Sequence, residues 1–237
     1  RTLLIDLDPQ ANATSSLGID RTRLDMSLYD ALLDPDESES AVLADVRAGL
    51  DLLPSSGGLA GAEVELVAAP QREYRLRTVV ERLASRYRVV LIDCPPSLGL
   101  LTVNALAAAR SVVVPIQCEY LPLEGLAQLV TTLDLVKRRL NPQLDVLGVV
   151  LTMFDARTRL AVQVVQEIRR AFGARVFRTV IPRAVRVAEA PSYGQTIFEY
   201  DPASRAAHAY AELGKELLER LALPVEAEPL EASQSVR

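Results

Sequence analysis

Two apolar runs that end in aspartate carry the chemistry available to this chain. Residues 3–12 read Leu-Leu-Ile-Asp-Leu-Asp-Pro-Gln-Ala-Asn, and residues 89–97 read Val-Val-Leu-Ile-Asp-Cys-Pro-Pro-Ser. Buried parallel strands have this texture, and their carboxyl ends are where a doubly wound sheet meets its ligand. Asp6 and Asp8 sit at one such end, where Pro9 breaks the strand. One of them is suited to a magnesium shell and the other to an attacking water. Asp93 ends the second run and suits magnesium held through water. The plainer alternative is that such acids only cap the helix that follows.

Two acids of this kind predict a magnesium nucleotide, yet the phosphate loop G-x-x-x-x-G-K-[ST] is absent. The chain has two lysines. Lys137 has no glycine nearby; Lys215 follows Gly214, but Glu216 comes next and Ala209 stands where the first loop glycine belongs. Gly57-Gly58-Leu59-Ala60-Gly61 is not G-x-G-x-x-G, so the dinucleotide fingerprint is missing too. The chain begins at Arg1 directly on a strand without an initiator methionine, and the expectation is that the first strand, phosphate loop and first helix have been lost.

The elements that must position these acids follow from periodicity. Strands are expected at 3–7, 50–53, 88–93, 111–115, 145–151 and 176–180. Helices are expected at 71–86, 98–109, 122–140, 158–172 and 203–222. Alternation of this kind means βαβ units and a doubly wound, mainly parallel sheet with helices on both faces. Residues 20–48 are acid-rich and weakly periodic, which suggests one or two short surface helices. One domain is expected over 1–222, followed by a disordered tail at 223–237, which is polar and lacks a periodic face.

Composition narrows the classes. Of 237 residues, 49% are hydrophobic, enough for one large core, and no apolar run is long enough to span a membrane. Two cysteines make no disulfide framework and suit a reducing cytoplasm. Cys94 and Cys118 lack C-x-x-C partners and read as small buried thiols. His208 is the sole histidine, which argues against a Cys/His metal site or a Ser-His-Asp triad. No metal other than magnesium is expected.

The net charge of −5 argues against nucleic acid, but its distribution does not. Between Arg157 and Arg186 lie eight arginines and one acid, Glu167, giving +7 in this window and −12 elsewhere. Such an island is the electrostatic footprint of a phosphate-binding face, or else a solvated surface paired with acids from other segments. Ile181-Pro182-Arg183 follows a short strand, where a proline and an arginine can sandwich a purine base.

Together these blocks resemble the ParA/Soj family of chromosome- and plasmid-partition ATPases with their deviant phosphate loop. The resemblance runs from about residue 1 to 222. It rests on residues 4–14, 59–66, 92–106, 114–120, 151–158, 180–186 and 189–194, among them Leu-Ile-Asp-Leu-Asp-Pro-Gln-Ala-Asn-Ala-Thr and Val-Ile-Pro-Arg-Ala-Val-Arg. It implies that Asp8 is the catalytic acid that positions or activates water. It implies that Asp6 and Asp93 belong to the magnesium shell. Pro182 and Arg183 match the adenine-side loop, with Glu189, Ala190 and Pro191 close by. Arg157 and Arg186 match positions that bind DNA without sequence preference.

The implied cofactors are ATP and Mg2+. The implied partners are DNA, a second copy of the chain when ATP is bound, and a ParB-type protein that stimulates hydrolysis. The implied location is cytoplasmic and nucleoid-associated, with no membrane. The family's loop, G-K-G-G-x-G-K-[ST], with its two lysines, has no match here. Ala11 stands where glycine is common, and Ala184 where asparagine is common.

Without the loop, the chain as written is expected to bind ATP poorly, to lack ATPase activity and to aggregate through unpaired strand edges. The alternative is a non-enzymatic, nucleotide-independent DNA-binding or scaffold relative, against which the three intact aspartates speak. A MinD-like membrane ATPase would want a basic amphipathic C-terminal helix, whereas residues 224–237 carry three Glu, two Pro and one Arg. A cluster-carrying reductase would need cysteines in other places.

Overall fold

The computed structural model describes residues 1–119 and 123–224. Strand β1 (Thr2–Asp6) lies between β3 (Leu50–Leu53) and β4 (Val89–Asp93), parallel to both, and β2 (Leu43–Arg47) pairs antiparallel with β3. A second sheet contains β5 (Ser111–Gln117), β6 (Asp145–Phe154) and β7 (Val176–Pro182), all parallel. All six expected strands are present, in a doubly wound α/β arrangement. The hydrogen bonding nevertheless divides them into two sheets, ordered β2-β3-β1-β4 and β5-β6-β7.

The connections are those of βαβ units. Helices α3 (Leu59–Leu66) and α4 (Arg75–Leu83) lead from β3 to β4, and α5 (Leu100–Ala108) leads from β4 to β5. Helix α6 (Leu123–Arg139) leads from β5 to β6, and α7 (Arg159–Phe172) from β6 to β7. Parallel neighbours require such crossovers because no hairpin can join them. Helix α7 shows how sequence sets a boundary. The Thr158 hydroxyl accepts the Ala161 N–H at 3.3 Å, Ala161, Val164 and Ile168 form the buried stripe, and Gly173 follows the last turn.

The first core sets Leu3 and Ile5 of β1 against α3, α4, α5 and α2 (Leu28–Leu33), with Leu28, Ala31 and Leu32 fully buried. Each fully buried Leu or Ile contributes about 1.5–3 kcal/mol. This corrects the reading of residues 20–48 as surface helices. Helix α2 is a core element capped by Ser27 and Asp30, and β2 is a strand that the weak periodicity hid.

The second sheet is covered on both faces by period-two alternation. Val149 and Leu151 of β6 pack with α7, while Val150 packs with Ala209, Tyr210, Leu213 and Leu217 of α10 (Arg205–Arg220). The halves meet through Leu106 of α5 with Leu133 and Val136 of α6. Asn141 adds to this contact by donating to the Leu106 and Ala109 carbonyls at 2.9 and 2.6 Å.

A second contact brings the backbones of the two halves together. Gly18 and Gly194 both have positive φ, and a Cβ on Gly194 would lie 2.7 Å from the Gly18 Cα. Arg47 of β2 clamps this point, donating to the Gly194 carbonyl at 2.7 Å and pairing with Glu199 at 2.7 Å.

The sheet edges differ. In β7 the register steps from Val149↔Val176 to Leu151↔Val180, so β7 carries two extra residues. The N–H groups of Arg178 and Thr179, released by this bulge, donate to the buried Glu216 carboxylate at 2.9 and 3.0 Å. Arg220 stacks on Phe177 at 3.9 Å and donates to the Leu147, Arg175 and Val176 carbonyls. By contrast, β4 and β5 each have one edge without a strand partner among the described residues, and Leu91 and Val113 are 43% and 38% exposed. These are the open edges expected from the sequence. Of the expected tail, residues 225–237 lie outside the described residues.

Candidate functional site

Pairing of β1 with β4 brings the expected acids together. Asp6 and Asp93 are register partners, and the Leu7 N–H donates to the Asp93 carbonyl at 2.9 Å. Asp6 is fully buried. Its Oδ2 accepts the Thr14 N–H and hydroxyl at 2.7 and 2.6 Å, and its Oδ1 accepts the Asp8 N–H at 3.2 Å. Thr14 in turn accepts the Ser55 N–H at 3.0 Å, and the Ser55 hydroxyl donates to the Asp8 carbonyl at 2.7 Å. The strand-breaking turn is thus pinned by buried polar bonds, with Ala11 in the left-handed region at φ 55°. Helix α1 (Asn12–Ser16) follows directly.

The other two acids are freer. Asp8 is half-buried, and its carboxylate accepts the Gln10 N–H at 2.9 Å in a tight turn. Asp93 is exposed, and its carboxylate accepts no hydrogen bond among the described residues. Local desolvation, and then the charges of Asp6 and Asp8, push Asp93 up to about 6. Its neighbour Cys94 is exposed rather than buried, correcting the expectation. Desolvation and then Asp93 push its thiol up to about 12, so it stays a neutral thiol. Cys118 is buried as expected.

Among the described residues, no three His, Cys, Asp or Glu side chains are placed to enclose a metal ion. Magnesium does not need such a cage, since it takes one or two carboxylates and fills its shell with water and phosphate oxygens. An open carboxylate repelled by two others fits a hard cation. Asp93 has that character, whereas both acceptor positions of the Asp6 Oδ2 are taken.

The expected base-side residues follow β7. Pro182 is its last residue, opposite Phe154, and the Arg183 N–H donates to the Phe154 carbonyl at 2.9 Å. The Arg183 guanidinium pairs with Glu119, beyond the end of β5, so this arginine reaches across the second sheet. Glu189 ends α8 (Val185–Glu189), Ala190 is buried and Pro191 opens a 3-10 turn. Glu119 went unnoticed in sequence because its partner lies 64 positions away.

The arginine island is less bare than its sequence. Arg157 pairs with Asp155, Arg170 with Glu167, Arg178 with Glu216 and Glu219, Arg183 with Glu119, and Arg186 with Glu189 and Asp201. Most of these acids lie outside the window in which +7 was counted. Arg159, Arg169 and Arg175 make no ion pair among the described residues. The reading of the island as a surface paired with acids thus describes five of its eight arginines. His208 is exposed, and among the described residues its ring bonds only the Ser204 carbonyl at the start of its own helix, 2.8 Å away.

Comparison with known proteins accounts for this arrangement. A family model described as an AAA domain matches residues 1–146. The chain is 50% identical over 217 residues to the sporulation initiation inhibitor protein Soj of Bacillus subtilis, spanning 92% of this chain and 86% of that protein. It is 50% identical over 220 residues to the chromosome partitioning protein ParA of Myxococcus xanthus, spanning 93% and 78%. Among solved structures, cobyrinic acid a,c-diamide synthase from Mycobacterium smegmatis with bound ATP analogue and magnesium superposes with a TM-score of 0.82. It is 37% identical, covering 93% of this chain and 83% of that one. With the acids of β1 and β4 in register and half of the sequence shared over nine-tenths of its length, the chain belongs to the ParA/Soj family of partitioning ATPases.

Proposed function

We propose that this chain acts in DNA segregation as an ATPase. In this reading it dimerises with ATP, binds DNA without sequence preference and is stimulated by a ParB-type partner, in the cytoplasm and at the nucleoid. The observation that carries the reading is the convergence of Asp6, Asp8 and Asp93 on neighbouring strand ends, with Asp93 pushed up to about 6. In it Asp93 holds magnesium through water, Asp8 orients the attacking water, and Asp6 mainly fixes the turn that presents Asp8. ATP with Mg2+ supplies the phosphoryl group and the charge that offsets the three acids. Pro182, Arg183, Glu189, Ala190 and Pro191 flank the base, and Arg157 and Arg186 meet DNA phosphates. No helix among the described residues is long and apolar enough to cross a membrane.

A second reading, a nucleotide-independent DNA-binding protein, is favoured by one observation: Arg159, Arg169 and Arg175 make no ion pair among the described residues. One assay separates the two. MgATP turnover and DNA binding are measured on the chain with a phosphate-loop segment joined before Arg1 and on its Asp8→Ala variant, with and without a ParB-type protein. The ATPase reading expects Asp8→Ala to lose about 100-fold or more in turnover while DNA binding survives. Nucleotide-independent DNA binding without turnover would decide for the second.

A further inference from the structure

The two arginines assigned to DNA are both occupied. Arg157 is 88% exposed at its side chain, yet its N–H, Nε and Nη2 donate to Asp155 at 3.0, 2.9 and 2.6 Å. Arg186 lies 3.4 Å from Glu189 and 3.3 Å from the Tyr200 hydroxyl, with its guanidinium 5.6 Å from the Tyr200 ring centroid. Tyr200 closes the triangle by donating to the same Glu189 oxygen at 3.2 Å. Asp201 lies 3.9 Å from Arg186 on its other side. Each arginine thus already has a carboxylate of the kind of geometry that a DNA phosphate would offer it.

We propose that Asp155 and Glu189 are built-in competitors for DNA phosphate, each masking one arginine of the DNA face until phosphate displaces it. The inference rests on the reading that Arg157 and Arg186 bind DNA. Three features support it. Exposed ion pairs are weak and exchange readily, so a polyanion can break them. The Asp155 carboxyl is held down to about 2, first by the Arg157 side chain and then by its N–H, so it competes in its charged form throughout the physiological range. Finally, both masks stand just beyond strand ends, Asp155 directly after β6 and Glu189 one short helix after β7. Ligands of doubly wound sheets bind outside such carboxyl ends, so occupancy of that edge can change how firmly each mask grips. Arg159, Arg169 and Arg175, unmasked among the described residues, would supply a first, loose attraction.

The test is DNA binding by the full chain, read as anisotropy of a labelled mixed-sequence duplex over a salt series, with and without MgATP. Asp155→Asn and Glu189→Gln keep the shape of each side chain and remove its charge. Each is expected to tighten binding about three- to fivefold and to steepen the log–log salt dependence by about 0.9, one added phosphate contact. The gains should vanish in Arg157→Ala and Arg186→Ala backgrounds respectively. Glu167→Gln makes the same change of charge beside Arg170 and should gain less than half as much. Gains that persist without the arginine, or are matched by Glu167→Gln, would mean general charge reduction and overturn the proposal. Weaker binding by Asp155→Asn or Glu189→Gln would show that the acids orient the arginines, and overturns it too. If Arg157→Ala and Arg186→Ala bind DNA as the parent chain does, the DNA reading itself falls, a result distinguishable from failure of the masks alone.

Discussion

The outer edges of β7 and β4 are treated in opposite ways. On β7 a bulge turns two N–H groups toward α10, where Glu216 accepts both and Arg220 takes carbonyls of the same region. On β4 the edge is bare among the described residues, with Leu91, Asp93 and Cys94 all exposed. A long, flat, apolar edge invites pairing with another strand, and proteins normally blunt it with charge, a bulge or a covering helix. All three devices are present on β7, whereas among the described residues β4 has neither bulge nor covering helix at its edge and a single charge, Asp93, at its end. A sealed edge serves stability, whereas an open one bordered by the site's free carboxylate is available to whatever completes the sheet.

Glu216→Ala should break the sealed edge. It leaves two half-buried N–H groups without an acceptor and the Arg220 charge without its carboxylate, at about 3 kcal/mol, which is a midpoint lowered by about 6–12 °C for a domain of this size. The milder Glu216→Gln tests the charge. Burial alone would raise the Glu216 carboxyl, but the N–H groups of Arg178 and Thr179, the Thr179 hydroxyl and Arg220 hold it below its ordinary value of 4.5. Its contribution is therefore complete above about pH 4.5 and lost as the pH falls through the lower folded value. Melting curves of Glu216→Gln in acid should lack that part of the slope.

The open edge has the opposite sign. Asp93 titrates at about 6 in the folded chain against 3.8 ordinarily, so the folded state binds its proton more tightly. Stability falls as the pH rises between those values, and the loss is complete above about 6. Asp93→Asn should raise the melting midpoint at neutral pH and leave it unchanged at pH 3.5. A drop at neutral pH would mean that the Asp93 charge is stabilising. The smallest effect is expected from Leu91→Lys, which blunts the exposed β4 edge. Its stability should stay within about 0.5 kcal/mol of the parent, and its solubility should rise. A large loss of stability would show that Leu91 is buried in solution.

Much of this was legible in the residues, and the failures have physical causes. The six parallel strands announce themselves as short apolar runs, and the acids at their ends follow from sheet topology. Strand β2 escaped because Leu43-Ala-Asp-Val-Arg47 is an edge strand with mixed polarity and an irregular register. Helix α2 looked superficial because its capping box is acidic, though its other face is core. At the site, grouping the acids needed only strand order. That Thr14 saturates one Asp6 oxygen, or that Glu119 holds Arg183, depends on contacts between segments that no local pattern encodes. Charge counted along the sequence likewise overstated the basic island, because five of its arginines meet acids, most of which lie outside the counted window.

The Gly18–Gly194 contact bears on what this gene can change. A methyl group on Gly194 has no room beside the opposite backbone, and positive φ disfavours any side chain on either residue. Backbone cannot be trimmed to make space as a neighbouring side chain can, so no second change nearby can rescue the first. One of these codons serves the turn after α1 and the other the loop before α9 (Ile197–Tyr200), 176 positions later. Drift in two distant stretches of the gene is thereby locked together at a single point, whatever either stretch binds.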